Sequence, residues 1–458
     1  MSFGNKILNY REDILKDLAE LVAIPSVQSK PEEGMPFGRE VARVMDAFAN
    51  MADRMGFVTK NVGGYAGHAE YGEGDEVAAV VAHLDIVPEG EGWDTDPFTL
   101  TKKGNLYFGR GTADDKGAAI VALYCLKVLK DENIKGKRRL RVIFGGGEET
   151  SSNDLEMYLK SEQMPVMAFT PDSDYGICNR EKGIMRLTIS TKSDSSVIKK
   201  FTAGTVVNAV PSKAAAEILC TEDVFRKLQE AAKTTPGDFH VERTADGAKI
   251  TSAGKASHAM QPQEGFNAAT HLMKLLGVVF KAEELGTLVR FVNTKISTEL
   301  YGESLGISQR DKESGPLTFN VGLVNIGEGE DSIGIDIRYP VTGDGEGIFA
   351  KIAKNAAGFG LKCEWQTHSK PLFLPEDNPF ISLLKDSYAE ITGNPADLYA
   401  TGGGTYARAF EGRAVAFGPF FPDEADRRLH NTNENIDIDR FMVHAQICLE
   451  AMYRMFTK

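Results

Sequence analysis

The chain has 458 residues, which is more than one hydrophobic core usually accommodates, so we expect two or more domains. Its composition, with 42% hydrophobic and 26% charged residues, is typical of a soluble globular protein. A formal net charge of -13 argues against nucleic acid or an anionic membrane as a partner, because both require a basic surface.

Cysteine usage indicates the compartment. The five cysteines lie far apart and include no Cys-x-x-Cys pair, which is typical of reduced thiols rather than disulfides or a thiolate metal site. The first residues have no apolar segment of signal-peptide type, and no segment approaches the roughly 20 apolar residues of a membrane span. We therefore expect a cytoplasmic protein whose metal ligands, if any, are His, Asp and Glu.

Strands and helices alternate over the first 170 residues. The apolar spacing predicts amphipathic helices over 7–21 and 41–55, and the pattern is helical again after Asp115. The apolar segments typical of buried strands lie at 77–82, 140–144 and 166–170. This order predicts an α/β fold, a mostly parallel sheet covered by helices on both faces.

Acids and histidines lie where apolar segments give way to loops or helices. They are His83 and Asp85, then Asp114 beside Asp115, then Glu148 and Glu149, and then Asp172. Because the carboxyl ends of parallel strands meet at one edge of a sheet, we expect these side chains to converge there.

The pattern changes at about residue 187. We expect an inserted α+β domain over 187–374, with two subdomains, and an α/β domain formed by 1–186 and 375–458. The insertion has antiparallel strands predicted at 186–191, 206–210, 214–220, 240–243 and 249–253. The last segment would return a helix at 379–392 and one at 441–455.

The converging residues suit a pair of divalent cations. Such ions take carboxylate oxygen and imidazole nitrogen, and two ions about 3.5 to 4 Å apart need a bridging carboxylate. His430 would join the group if the last segment folds back on the first. One of Glu148 and Glu149 would serve as a ligand and the other as a general base. Asp85 would accept the second N–H of the His83 imidazole.

Each motif alone has an ordinary structural explanation. His-x-Asp at a strand end is common, Asp-Asp-Lys-Gly is typical of a helix N-terminus, and a triple glycine is usually a turn. Their joint occurrence, each after an apolar strand, indicates a metal site.

With these motifs the sequence resembles the dinuclear zinc metallopeptidase superfamily of carboxypeptidase G, the aminoacylases and succinyl-diaminopimelate desuccinylase. The resemblance is greatest to peptidase V type dipeptidases, which are similar to the carnosinases. It is carried by 83–88 (H-L-D-I-V-P), 93–98 (W-D-T-D-P-F), 109–117, 148–149, 171–172, 257–258, 338–340 and His430.

The resemblance implies a specific ligand set. His83 and Asp172 would bind one metal ion, Glu149 and His430 the other, and Asp114 would bridge them. The resemblance also implies a cis peptide bond between Asp114 and Asp115. Glu148 would be the catalytic base. The ions would be two divalent cations, expected to be zinc, with manganese or cobalt as alternatives, because oxygen-rich sites accept several metals.

The resemblance also assigns roles in the insertion, which would act as a lid. His258 would contact the oxyanion, and Asn208 and Arg338 would bind the carbonyl oxygen or the substrate carboxylate. A loop of backbone N–H groups would bind the same carboxylate, formed by Gly402, Gly403, Gly404 and Thr405. The length of the insertion resembles the peptidase V arrangement, which implies a monomer.

The resulting hypothesis is a dipeptidase that cleaves short unblocked L-peptides by attack of a bridging, metal-bound hydroxide. The alternative is an amidohydrolase or deacylase acting on N-acyl or N-succinyl amino acids. Asp172 weakly favours the dipeptidase, because the N-acyl members commonly have Glu there. A peptide-binding protein without activity is the third possibility, and the complete set of ligands and base argues against it.

Overall fold

A computed structural model of the chain describes residues 2–150, 153–327 and 329–458, and they form two compact units. The first unit comprises the chain up to Arg180 together with Leu372–Tyr399 and Gly404–Lys458. The second comprises Glu181–Pro371 and Ala400–Gly403. The units thus divide a few residues before the predicted boundaries of 186 and 374, since strand Gly183–Lys192 already belongs to the sheet of the second unit.

The first unit is built on a nine-stranded sheet. All seven residues of its central strand, Val77–His83, are buried, as expected for an apolar run inside a parallel sheet. This strand pairs in parallel with Arg139–Gly145 on one side and Met167–Thr170 on the other. The other strands are Val58–Val62, Ala66–Tyr71, Ile177–Glu181, Leu372–Phe373, Leu398–Thr401 and Ala414–Ala416. The predicted α/β fold with a parallel centre is confirmed.

Six α-helices accompany this sheet in the described residues: Arg11–Val22, Arg39–Arg54, Lys116–Asp131, Asp154–Leu159, Pro379–Thr392 and Ile438–Thr457. Helix Lys116–Asp131 is the most enclosed, because thirteen of its sixteen residues are buried. The Lys116 ammonium donates to the carbonyl oxygens of Leu21 (2.9 Å) and Ile24 (2.7 Å), at the end of the first helix. It thereby satisfies helix-end carbonyls without water.

Shorter elements complete the first unit. They are 3₁₀ helices Phe3–Tyr10 and Tyr406–Phe410, a three-stranded sheet of Thr101–Lys103, Leu106–Phe108 and Asn435–Asp437, and the strand pair Ser173–Asp174 with Pro419–Phe420. Across the described part of the chain, no helix has both the length and the apolar character that crossing a bilayer demands.

The second unit contains a continuous eight-stranded sheet in which all neighbours pair antiparallel. In spatial order its strands are Asp238–Arg243, Gly247–Ala253, Lys213–Leu219, Ile198–Ala203, Thr318–Ile326, Glu330–Tyr339, Gly183–Lys192 and Lys362–Ser369. Its helices are Glu222–Thr234, Ala268–Val279, Thr287–Lys295 and Gly345–Ala357, with 3₁₀ turn Pro262–Glu264. The short strands Arg310–Asp311 and Gly315–Pro316 pair with each other.

The predicted strand at 206–210 is wrong. The chain leaves the sheet after Ala203, because Gly204 has a φ of +76° that an extended strand does not allow. Pro211 then lacks the N–H that a strand would use. The segment between them is a turn with one isolated bridge at Ala209.

Candidate metal centre

The centre begins at the end of the central strand, where His83 is 1% exposed. Its Nε2 lies 2.8 Å from Oδ1 of Asp114. Its Nδ1 lies 3.0 Å from the backbone oxygen of Asp85 and 3.4 Å from the Oδ1 of that residue's carboxylate. The nearer acceptor for the second imidazole N–H is therefore the Asp85 main chain, not the carboxylate that we expected.

The Asp85 carboxylate has a different set of partners. It accepts hydrogen bonds from the backbone N–H groups of Glu148 (3.3 Å) and Glu149 (3.1 Å), and from Nε2 of Gln28 (3.2 Å). Asp85 is fully buried, so these hydrogen bonds offset the loss of hydration of its carboxylate. It holds in place the main chain that carries both glutamates.

Asp114 presents its two carboxylate oxygens to two different imidazoles. Oδ1 faces Nε2 of His83 at 2.8 Å, and Oδ2 faces Nε2 of His430 at 3.0 Å. The same His430 nitrogen lies 3.2 Å from Oε2 of Glu149. The peptide bond from Asp114 to Asp115 is cis, and Asp115 accepts a hydrogen bond from the His83 backbone N–H at 3.2 Å. Asp114 thus has the geometry of a bridging ligand, and Asp115 does not.

The donor set fits divalent cations. Two overlapping groups bring ligand atoms within 4.8 Å of one another: His83 with Asp114 and Glu149, and His83 with Glu148 and Asp172. Imidazole nitrogen and carboxylate oxygen are the ligands that zinc, manganese and cobalt share. The second group contains Glu148, so geometry alone leaves open which glutamate is a ligand and which is the base.

The electrostatics of the cluster favour cations. Burial, with the charges of Asp114 and Glu148, raises the pKa of Asp172 well above its usual value. Burial also raises the pKa of Glu148 to about 8, although the nearby His83 opposes this. Hydrogen bonds to Asp114 and Glu149 raise the pKa of His430 to about 10. These carboxylates are crowded in a buried site, and divalent cations would neutralise them.

A second buried acid supports the glycine loop before Glu148. Asp154 accepts the backbone N–H of Gly147 at 2.8 Å and also the hydroxyl of Tyr406. A Cβ on Gly145 would lie 2.1 Å from the Tyr406 hydroxyl oxygen, so only glycine fits there. Asp154 could not be predicted as a site residue, because an acid at a helix start is ordinary.

A third buried acid, Glu434, was also missed. Its carboxylate accepts Nη1 of Arg110 at 2.7 Å and the backbone N–H groups of Gly111, Ala113 and Asp114 at 3.1, 2.9 and 3.1 Å. In the sequence, only its position four residues after His430 could have indicated a role for Glu434 at the centre.

The second unit brings Asn208 and His258 together. Ala209 and His258 form an antiparallel bridge, and the Asn208 carbonyl accepts the Ala259 N–H at 2.9 Å. The Met260 N–H donates to Nδ1 of His258 at 3.1 Å, so Nε2 carries the proton in the neutral ring. Burial and the Arg338 charge lower the pKa of His258, which favours this neutral form.

Arg338, also predicted to bind substrate, is 2% exposed. Asp336 accepts its Nε (2.6 Å) and Nη2 (3.0 Å), and the Gly402 carbonyl accepts its Nη1 (2.7 Å). The guanidinium is therefore fixed by the protein at all three nitrogens.

The predicted glycine loop is divided between the units. Gly402 and Gly403 belong to the second unit, and Gly404 and Thr405 to the first. The Gly403 N–H donates to Oγ1 of Thr401 at 3.0 Å, and Oγ1 of Thr405 accepts the Ala407 N–H at 3.2 Å. One N–H of the expected carboxylate site thus already has a partner within the loop.

The sequence model of peptidase family M20/M25/M40 matches residues 79–454. The chain belongs to this family. It is therefore a metallopeptidase, and the predicted family resemblance is confirmed.

Named relatives agree with this family assignment. A protein of Bacillus subtilis (strain 168) described as "Putative dipeptidase YtjP" is 34% identical over 99% of this chain and 100% of its own length. Solved structures of the family are more distant in sequence. Human carnosine dipeptidase 1 has 15% identity and a TM-score of 0.59, covering 99% of this chain and 98% of that one. The di-peptidase Dug1p of Saccharomyces cerevisiae has 15% identity and a TM-score of 0.60, covering 100% and 98%. These structural matches show a shared fold.

Proposed function

We propose that this M20-family enzyme is a dipeptidase that hydrolyses short unblocked L-peptides at a dinuclear metal centre. The observation that carries the proposal is the placement of the two Asp114 oxygens against two imidazoles, His83 and His430. A carboxylate in that position is what two adjacent cations require. The names of the relatives support dipeptides as the substrate class.

The ligands divide between two ions. His83 and Asp172 would hold one, Glu149 and His430 the other, and Asp114 both; zinc is the first choice, with manganese and cobalt as alternatives. Bound divalent ions supply a water of lowered pKa and polarise the carbonyl under attack.

Glu148 is the proposed general base. Its main chain is fixed by the Asp85 carboxylate, which accepts the backbone N–H groups of Glu148 and Glu149. It would remove a proton from the attacking water and return it to the leaving amine.

His258 is the proposed oxyanion donor, with Asn208 and Arg338 as ligands of the substrate carbonyl or carboxylate. The protonated Nε2 of a neutral His258 provides the donor that this role needs. We further propose that the enzyme is cytoplasmic, as its scattered cysteines indicate. We also propose that it is a monomer, because the long insertion would replace the contribution of a second subunit.

A matched substrate panel tests the substrate class. The metal-loaded enzyme is assayed on L-Ala-L-Leu, N-acetyl-L-Leu and N-succinyl-L-Leu, which share the same leaving amino acid. We expect kcat/KM for the dipeptide to exceed both others by on the order of 100-fold or more. A higher kcat/KM for either N-acyl substrate would instead establish a deacylase.

A further inference from the structure

Glu434 and Arg110 form a buried pair beside the proposed centre. Both side chains are 1% exposed, and Nη1 of Arg110 lies 2.7 Å from Oε2 of Glu434. The other end of the guanidinium donates to the carbonyl oxygens of Pro88 (3.3 Å) and Glu89 (3.2 Å). A buried ion pair of this kind contributes little net stability compared with apolar residues, so its position needs another explanation.

Strand pairing places Glu434 where it is. Strand Asn435–Asp437 pairs antiparallel with Leu106–Phe108, and the ladder continues through a hydrogen bond from the Gly109 N–H to the Glu434 carbonyl at 3.1 Å. At Gly111 the φ is +84° and the chain turns away from the ladder. From Gly111 onward, backbone N–H groups of this segment donate to the Glu434 carboxylate and not to strand Asn435–Asp437.

The carboxylate then organises the segment that leads to Asp114. Oε2 accepts the Gly111 N–H, and Oε1 accepts the N–H groups of Ala113 and Asp114. Both oxygens take part, and each bond to the carboxylate is charge-assisted in a buried site. The Asp114 main chain is thereby tied to a residue only four positions after His430.

We propose that Glu434, held by Arg110, is a positioning residue that sets Asp114 and His430 at the spacing two metal ions require. This inference rests on the proposed function, since it concerns the same centre. Glu434 accepts the backbone N–H of Asp114 and would act through that main chain. Residues that orient metal ligands typically change metal affinity by about 10- to 100-fold when they are altered.

Glu434→Gln is the direct test. The amide keeps the shape of the side chain. Its NH₂ group, however, would face either the backbone N–H groups or the Arg110 guanidinium, and neither can accept a hydrogen bond. The matched control is Glu450→Gln, because Glu450 is also buried and accepts a backbone N–H (Gly4, 3.0 Å) and an arginine (Arg454 Nε, 2.9 Å). It has no bond to the centre among these contacts.

Three quantities are measured on metal-stripped protein: the Kd values for two Co²⁺ ions, the visible spectrum of the Co²⁺ form, and the thermal unfolding temperature. We expect Glu434→Gln to weaken binding of the second ion by about tenfold or more and to alter the spectrum. Glu450→Gln should lower the unfolding temperature comparably while its Kd values stay within twofold of wild type. Arg110→Lys, which keeps the charge and loses the planar fork, should show a smaller effect in the same direction.

Wild-type Kd values and spectrum in Glu434→Gln would overturn the proposal, as would equal weakening in Glu450→Gln. If Glu434→Gln does not fold, unchanged Kd values in Arg110→Lys overturn it. The Co²⁺ titration does not depend on substrate. A wild type that binds two ions and cleaves no peptide would therefore contradict the proposed function, while the Kd values would still decide the role of Glu434.

Discussion

Glu148 and Glu149 are neighbours on one turn, and the Asp85 carboxylate binds the backbone N–H groups of both. They have different proposed roles, Glu148 as the general base and Glu149 as a metal ligand. The single replacements are therefore matched to each other: each removes one charge from the same loop.

We expect Glu148→Gln to retain two metal ions and to lose activity by about 10³-fold or more, because the proton of the attacking water has no acceptor. Glu149→Gln should instead lose about one ion per chain. Metal content by mass spectrometry and kcat for a dipeptide distinguish them. The reverse result, with metal lost from Glu148→Gln only, would exchange the two roles.

His258 lends itself to a kinetic separation. Its Nδ1 is occupied by the Met260 N–H, so its function as a donor depends on Nε2 alone. We expect His258→Ala to lower kcat by on the order of 10²- to 10³-fold with little change in KM, as for loss of an oxyanion donor. A rise in KM with unchanged kcat would mean that His258 binds the ground state and the transition state equally, which contradicts an oxyanion role.

Some acids of the site could be predicted from the sequence, and Glu434 could not. His83, Asp114, Glu149 and Asp172 were predicted because each follows an apolar strand. Glu434 could not be assigned in this way, because its partners are backbone N–H groups more than 300 positions away that meet it only after folding.

Two further details, the segment 206–210 and the contacts of Asp85, depend on local geometry. The segment 206–210 has the apolar content of a strand, but Gly204 and Pro211 at its borders exclude it from the sheet. Asp85 was predicted to accept the second N–H of His83. Its main-chain oxygen lies 3.0 Å from Nδ1 of His83, while its carboxylate accepts the Glu149 N–H, and no sequence pattern contains these distances.

Helix Lys116–Asp131 begins immediately after the segment 109–115, which contains Asp114, and its first turn approaches that segment closely. A Cβ on Gly117 would lie 2.1 Å from the backbone oxygen of Thr112. We expect Gly117→Ala to lower the free energy of unfolding by roughly 1 to 3 kcal/mol, the usual effect of overpacking. Urea denaturation followed by circular dichroism measures the loss.

Gly358→Ala is the matched control for that change. Gly358 has a φ of -63°, and its Cβ would meet only Asn355 O at 3.4 Å and Lys354 O at 3.6 Å. Its free energy of unfolding should stay within about 0.5 kcal/mol of wild type. Equal losses in the two variants would show that the approach of Gly117 to Thr112 is not tight.

The acid stability of the whole molecule depends partly on a buried histidine. His444 is 0% exposed, and its Nδ1 lies 2.9 Å from the Tyr175 hydroxyl oxygen, within hydrogen-bond distance. Burial lowers the pKa of His444 to about 3, below the value of about 6.5 in an unfolded chain. Between these values the unfolded state binds the extra proton, so the free energy of unfolding falls as the pH falls.

We expect the free energy of unfolding of the wild type to fall between pH 7 and pH 5 by about 2 kcal/mol more than that of His444→Gln. Glutamine can accept the Tyr175 hydroxyl but does not titrate. All other titrating groups are common to both proteins, so their contributions cancel in the comparison. Parallel stability curves for the two proteins would show that His444 is not neutral and buried in solution.

The proposed activity requires two metal ions at one centre for hydrolysis of a peptide bond. The most direct measurement is hydrolysis of L-Ala-L-Leu by metal-stripped enzyme during titration with Zn²⁺, Mn²⁺ or Co²⁺. We predict no turnover without metal and recovery that is complete at two equivalents per chain for at least one of the ions. Hydrolysis that survives chelation, or that appears at no loading with any of the three ions, would contradict the account.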